Sequence, residues 1–176
     1  DMVSISERPP EVEDRAVPGH WEGDLILGST ASGSAIGTLV ERATRFTLLL
    51  HLPDGHTALA VQEAIVAKMA GLPAILRKTL TWDQGKEMAN HIEIAAATDL
   101  DIYFCDPHSP WQRGTNENTN GLLRQYFAKG TDLSVFPAEY LDYGAAKLDR
   151  RPRQTLGWKT PAEALDDFLS MPWRPP

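Results

Sequence analysis

Between residues 20 and 70 the apolar pattern changes period, and that change limits the possible folds more than any other feature of the chain. Three runs come first: His20–Leu27, Ala35–Glu41 and Phe46–Leu52. All are rich in Val, Ile, Leu, Thr or Phe, with short polar breaks between them, which predicts three strands in an antiparallel meander. Then Ala58, Val61, Ile65 and Met69 recur at steps of three and four, which predicts an amphipathic helix ended by Gly71 and Pro73. From there helices and strands alternate. Thr79–Trp82 is a fourth strand leading into the turn Asp83-Gln84-Gly85, Lys86 to Ala97 a helix, and Ile102–Cys105 a fifth strand. A loop then runs to a helix for which Thr115 is the expected N-cap. A helix from Pro137 to Leu148 follows, and Thr160-Pro161-Ala162-Glu163 opens the last one with a capping box and a first-turn proline. The predicted architecture is α/β: a five-stranded mixed sheet, three antiparallel strands and then two parallel, flanked by helices. Residues 20–170 form the domain. Residues 1–19, proline-punctuated and aperiodic, read as an arm or linker from a region further upstream, and 171–176 as a tail.

Composition narrows the function. A chain of 176 residues predicts one domain with a sizeable core. No apolar run approaches the roughly 18 residues that would span a membrane. The single cysteine, Cys105, excludes an intramolecular disulfide and a cysteine-based zinc cluster, and fits a reducing cytosol. A net charge of −7 argues against indiscriminate DNA binding by the whole surface. The charge is uneven, however. Residues 1–24 carry seven acids and two arginines, whereas 147–159 carry Lys147, Arg150, Arg151, Arg153 and Lys159 against Asp149 alone.

The stretch Pro110–Asn120 holds the densest set of chemically capable side chains. Glu117 falls in the first turn of its helix, where the dipole favours a carboxylate. Asn120, Gly121 and Arg124 follow at spacings of three, four and seven, on the same face. An acid, an amide and a guanidinium on one ridge suit a metal ion with a phosphate beside it; a solvated helix start has the same composition. Two aspartates separate these readings. Asp24 is mid-strand and Asp83 at a strand's end, and in mixed α/β sheets ligands gather outside the carboxyl ends of strands.

Together these motifs resemble the catalytic core of retroviral integrases and bacterial transposases. Trp21-Glu22-Gly23-Asp24 is similar to that core's Trp-x-x-Asp. Thr81-Trp82-Asp83-Gln84-Gly85 is similar to its second signature, an Asp with Gly two residues on. Gln112–Asn120 resembles its third, with Gly114 three residues before Glu117 and Asn120 three after. Between Asp83 and Glu117 lie 33 residues, a separation like the family's. Gly19-His20-Trp21-Glu22-Gly23-Asp24, Asp106–Gly114 and the tail Arg151–Glu163 resemble insertion-sequence transposases of the "IS-thirty" type. The likeness runs from about residue 11 to 169. In one departure, Asp149 stands where that pattern often has Asn, and an acid there would weaken a nearby phosphate contact.

The resemblance implies a ribonuclease H-like fold, with Asp24, Asp83 and Glu117 as catalytic residues and ligands of two Mg²⁺ or Mn²⁺ ions. Hard divalent ions take such carboxylate oxygens, and a two-ion site stabilises both the entering and the leaving oxygen of a phosphodiester. It implies cleavage at element ends followed by joining of the 3′-hydroxyl to target DNA. The partners would then be end and target DNA and further copies of the chain, in a bacterial, nucleoid-associated, cytoplasmic setting with no membrane. Candidate DNA contacts are Lys86, Arg113, Asn116, Asn120, Arg124, Arg151 and Arg153. His20 and Glu22 share Asp24's side of the strand by alternation. Their place is either around the ions or at the sheet rim. Trp111 suits stacking on a base or packing on its own domain, while Trp82, Trp158 and Trp173 read as packing residues. Two other readings stay open: a nuclease on the same fold that cuts without joining, and a non-catalytic DNA-binding or interaction module of transposase descent.

Overall fold

The structure is a computed structural model describing residues 2–14, 17–107, 109 and 114–171, apart from the side chains of Glu13, Asp14 and Glu117. Six strands make one sheet in the order β1-β6-β5-β2-β3-β4. These are β1 (Val3–Ser4), β2 (His20–Leu27), β3 (Ala35–Glu41), β4 (Thr47–Leu50), β5 (Thr79–Trp82) and β6 (Asp101–Phe104). The described helices are α1 (Pro10–Asp14), α2 (Ala58–Ala70), α3 (His91–Thr98), α4 (Gly114–Leu123), α5 (Ala138–Asp149) and α6 (Pro161–Leu169). β2, β3 and β4 pair antiparallel, while β5 joins β2, β6 joins β5 and β1 joins β6 in parallel. That is the ribonuclease H-like arrangement expected, with one more strand than the sequence predicts.

The period-two alternation assigns the faces. Trp21, Leu39, Leu50, Leu80, Trp82 and Phe104 point to one side, where Val61, Ile65 and Met69 of α2 and Ile94 of α3 close the larger core. Ile26, Ile36 and Leu49 point to the other, against Leu123, Phe127 and the α5 residues Leu141, Ala145 and Leu148. The second face is apolar only at this end. Towards β5 it carries buried polar groups, His20, Glu22, Thr38, Thr79 and Thr81. One close approach fixes the strands that matter most. A Cβ on Gly23 would lie 2.0 Å from the Trp82 ring, so the indole of β5 crosses β2 where only hydrogen fits.

Four details differ from the sequence expectations. The extra strand comes from the segment read as an arm: Val3 and Ser4 pair with Tyr103 and Phe104, and Ile5 and Val12 are buried. Two apolar residues in a proline-rich stretch give no period to detect. The helix expected from Lys86 divides into a 3-10 turn, Lys86–Met88, and α3, because Met88 turns into the core and Asn90 leaves helical geometry. Thr115 lies inside α4 rather than capping it. Asp149 faces the fold instead of any phosphate. It is buried, and its Oδ1 accepts the Thr47 amide of edge strand β4 at 2.9 Å.

Burial pushes the Asp149 carboxyl up to about 8, against the weaker downward pull of the Thr47 amide and of Arg153. At neutral pH the group is mostly a neutral acid whose oxygen accepts from Thr47, which is what an asparagine amide would offer. Its folded pKa exceeds its unfolded one, so its contribution to stability is full below about pH 4 and is lost as pH rises towards 8. We predict that Asp149→Asn removes this dependence. The melting temperature of the variant relative to wild type should climb by several degrees between pH 5 and pH 8, as one unit of linkage is worth at most about 1.4 kcal/mol. A constant difference across that range would show that Asp149 titrates normally.

Candidate active site

The parallel register of β2 and β5 places two of the three acids. Glu22 lies opposite Thr81, and continuing that offset by two residues sets Asp24 level with Asp83, one residue past the end of β5. Asp24 is half-buried and Asp83 exposed. The Asp83 Oδ1 accepts from the Gln84 amide at 2.8 Å, and the Gln84 side chain donates to the Cys105 carbonyl at 3.0 Å, closing the turn over the end of β6. Asp24 Oδ1 accepts from the Leu25 amide at 2.8 Å, and Asp24 Oδ2 from Asn120 Nδ2 at 3.1 Å. That last bond ties the middle of α4 to the first acid.

The start of α4 is tied by a residue two positions earlier on β2. Glu22 has 0% exposure and Arg42 4%; Arg42 Nη1 donates to Glu22 Oε2. The other oxygen, Oε1, accepts from the Asn116 amide at 3.2 Å. A strand carboxylate therefore satisfies an N-terminal amide of α4, the work expected of Thr115, and a negative group is favoured there. Asn116 adds two bonds from Nδ2, to the Glu22 carbonyl at 3.2 Å and to Thr38 Oγ1 at 3.1 Å. Thr38 Oγ1 in turn donates to the Asp24 carbonyl at 3.3 Å. The backbone of Glu117 follows Asn116 directly; its side chain lies outside the described residues.

The expected DNA contacts divide. Lys86 is exposed, three residues past Asp83, in a cleft of about 500 Å³ lined also by Gly33, His56, Thr57 and Glu87. Asn116 is fully buried and its amide engaged within the fold, so its place is structural rather than at a DNA surface. Asn120 holds Asp24. Arg124 donates to the Leu27 and Phe127 carbonyls, and burial lowers its pKa. Arg151 donates to Gln125 Oε1 and Tyr126 Oη, and Arg153 to the Leu148 carbonyl. A guanidinium has five N–H donors, so these last two retain capacity for a phosphate. Arg113, Trp111, His108 and Trp173 lie outside the described residues.

His20 sits at the rim away from Asp24. Its Nδ1 is 2.8 Å from Thr79 Oγ1 and its Nε2 2.8 Å from Glu11 Oε1. Burial lowers its pKa against the opposing pull of Glu11, so the ring is neutral at pH 7, and it fastens α1 to the sheet. The residues that sequence reasoning missed are Arg42 and Thr38, together with the job of Glu22. The available signal was that an acid at an inward position of a central strand requires a cation nearby.

Among the described residues no group of three His, Cys, Asp or Glu side chains encloses a metal position, and Glu117's carboxylate is not among those residues. The described part fits a hard divalent ion: one carboxylate in the middle of β2 stands level in register with another just past the end of β5. Beside them Asn120 Oδ1 is buried with no hydrogen-bond partner among the described residues.

A mixed sheet in this order, with acids mid-strand, at the next strand's end and on a helix docked against the first of these strands, defines a ribonuclease H-like domain of the integrase and transposase class. Comparison with known proteins agrees. Residues 14–110 match the integrase core domain family, a match that stops short of Glu117. The chain is 58% identical over 98% of its length to the transposase for insertion sequence element IS1086 of Cupriavidus metallidurans, and 50% identical over 95% to transposase InsI of element IS30C of Escherichia coli. It spans 50% of the first and 43% of the second, about half of each relative. A chain of the simian T-cell lymphotropic virus intasome, solved in complex with PP2A regulatory subunit B56 gamma, superposes with a TM-score of 0.68 at 19% identity, over 91% of this chain and 57% of that one. The protein belongs to the integrase core domain family, and it resembles the IS30-type insertion-element transposases over nearly its whole length.

The Glu22 network makes a direct prediction. Glu22→Ala leaves Arg42 buried without its carboxylate and Asn116 without its acceptor, and should cost about 3–5 kcal/mol of unfolding free energy. Glu22→Gln combined with Arg42→Met keeps the acceptor and removes both charges, and should recover most of that loss. Denaturant titration of the three proteins measures this; a loss under about 1 kcal/mol for Glu22→Ala would mean that α4 is anchored by other contacts.

Proposed function

We propose that this domain is the metal-dependent catalytic core of a DNA transposase, cutting DNA at element ends and joining the freed end to target DNA. The observation that carries the reading is the register of β2 and β5, which levels Asp24 with Asp83, while Asn120 binds the Asp24 carboxylate to the helix that bears Glu117. In the cutting step water attacks the phosphorus, the 3′-oxygen leaves, and that oxygen takes up a proton. In the joining step the resulting 3′-hydroxyl attacks a target phosphodiester, forms the new P–O bond and displaces the target's own 3′-oxygen. Number and type of phosphodiester bonds are conserved in the second step, so it needs no external energy.

Asp24, Asp83 and Glu117 would hold two Mg²⁺ or Mn²⁺ ions. When bound, the ions activate the attacking oxygen and neutralise charge on the leaving one. The chain's own residues set the stage. Asn120 and the Leu25 amide each take one oxygen of Asp24 and fix its orientation. The Glu22–Arg42 pair and Asn116 hold α4 against β2. Lys86, exposed beside Asp83, and Arg113 are the phosphate contacts nearest the acids in sequence. The sequence preference of binding would lie with parts of the full-length relatives that this chain does not span.

Separate Asp24→Asn, Asp83→Asn and Glu117→Gln variants should each lower Mn²⁺-dependent nicking at least a hundredfold while melting cooperatively. Near wild-type nicking by any one, in a preparation free of contaminating nuclease, removes that residue from the site. Product analysis on gels separates joined from merely cut DNA, and cutting alone would mark a nuclease. Binding offers a test independent of catalysis. Mn²⁺ at a hundred times its dissociation constant should add roughly 2.7 kcal/mol of stability. Asp83→Asn, having one like charge fewer, should melt above wild type in EDTA and respond less to Mn²⁺.

A further inference from the structure

The loop joining α5 to α6 presents a tryptophan against its own conformational preference. Trp158 is 67% exposed and has φ +69, in the left-handed region that aromatic residues rarely occupy. Gly157 before it is also left-handed, at φ 62. The turn is closed by backbone bonds: the Trp158 amide to the Arg153 carbonyl at 2.9 Å, the Arg153 amide to the Lys159 carbonyl at 2.9 Å, and the Gly157 amide to the Gln154 carbonyl at 3.1 Å. Any residue at 158 except proline would complete that set. The indole itself makes no hydrogen bond or ring contact among the described residues. Trp21 and Trp82, by contrast, are buried, with Nε1 bonded to the Leu76 carbonyl and to Glu87. The sequence expectation that Trp158 packs inside is thus overturned. The turn carries backbone strain and an exposed indole together, and among the described residues neither is offset by a hydrogen bond or ring contact of the indole.

The surroundings are cationic. Arg150, Arg151, Arg153 and Lys159 flank the turn, with Lys159 paired to Asp167 on α6. Arg151 lies over the Tyr126 ring, 5.6 Å from its centroid, and bonds to the Tyr126 hydroxyl. The one acid within 147–159, Asp149, is buried beneath the loop's start and largely neutral at pH 7. On a chain of net charge −7 this is a local positive site. An exposed indole in a turn whose sequence neighbours are Arg150, Arg151 and Arg153 suits a nucleic-acid base and its adjoining phosphates, where aromatic stacking and arginine act together. Another protein surface would be better met by an apolar patch, and the neighbours here are charged. Through Arg151 the loop reaches Gln125 and Tyr126, just past the end of α4. That is on the order of 10 Å along the helix from its acidic first turn, a span one piece of DNA covers.

We propose that Trp158, with Arg151 and Arg153, forms a second DNA contact outside the acid cluster, at which the indole stacks on an unpaired base and the guanidinium groups meet the adjoining phosphates. The assignment rests on the reading of this domain as acting on DNA, and it says where a frayed or cut strand end is held.

Trp158→Gly separates function from packing, because glycine relieves the left-handed backbone and removes only the indole. The melting temperature should stay level or rise. Affinity in EDTA for a fluorescein-labelled duplex with a three-nucleotide 3′ overhang should fall at least fivefold, and the wild-type preference for that duplex over a blunt one should vanish. A melting temperature lower by several degrees would make Trp158 a packing residue after all. Unchanged affinity for the overhang duplex would also overturn the contact, and lost self-association in sedimentation with unchanged DNA affinity would give the surface to a second copy of the chain. Mn²⁺-dependent nicking by wild type and Asp24→Asn is measured alongside. Normal nicking with Trp158-independent binding means that only the second contact is wrong. Trp158-dependent binding without any nicking by wild type means that the acid site has been misread.

Discussion

The site depends on one buried carboxylate. Glu22 lies in the middle of the sheet, fully out of water, and among the described residues its carboxylate serves two partners: one oxygen goes to Arg42 and the other to the first turn of α4. A buried ion pair gives little net stability by itself, since desolvating both charges offsets most of their attraction. Its value here is directional. A carboxylate accepts along defined lone pairs, so the helix can dock in one place and at one rotation, which a greasy contact would not enforce. Asn116, Thr38 and Asn120 then carry that definition across to Asp24, bond by bond.

The division of the sheet follows from the same demand. One face is apolar from β4 to β6 and is closed by α2 and α3, which leaves stability chiefly to hydrophobic burial there. The opposite face is apolar only beneath α4 and α5, and beside them it is polar and nearly all hydrogen-bonded. The two faces meet at Gly23 and Trp82. The indole belongs to the apolar side, yet by lying across Gly23 it holds β5 against β2 in the register that levels Asp24 with Asp83. Core packing and site geometry are thus set by one contact.

Much of this was legible in the sequence, and the parts that were not have a common cause. β2 to β6, α2, α5 and α6 follow local rules of period, capping and turn residues, and each was readable to within a few positions. Asp24 was placed within its strand and Asp83 at the end of its own. What escaped was long-range polar pairing. Thr115 looked like a cap because the true one, Glu22, is distant in sequence; Asn116 and Arg124 looked like surface donors because their acceptors are backbone carbonyls and a hydroxyl contributed by other elements. Asp149 looked like a charge because nothing local reveals burial strong enough to neutralise it. Two residues of strand at Val3 and Ser4 exist only through pairing with β6.

The bond between Glu22 and Asn116 joins positions 94 residues apart. A chain emerging from the ribosome folds its early parts first, so β2, β3 and β4 can pair well before α4 exists, and during that interval Glu22 and Arg42 have no helix to receive. Closing so long a loop is entropically slow. The docking of α4 on β2 therefore comes late, and the same bond that fixes the helix also dates it: an incomplete or unfolded chain holds α4 away from the strand that bears Asp24.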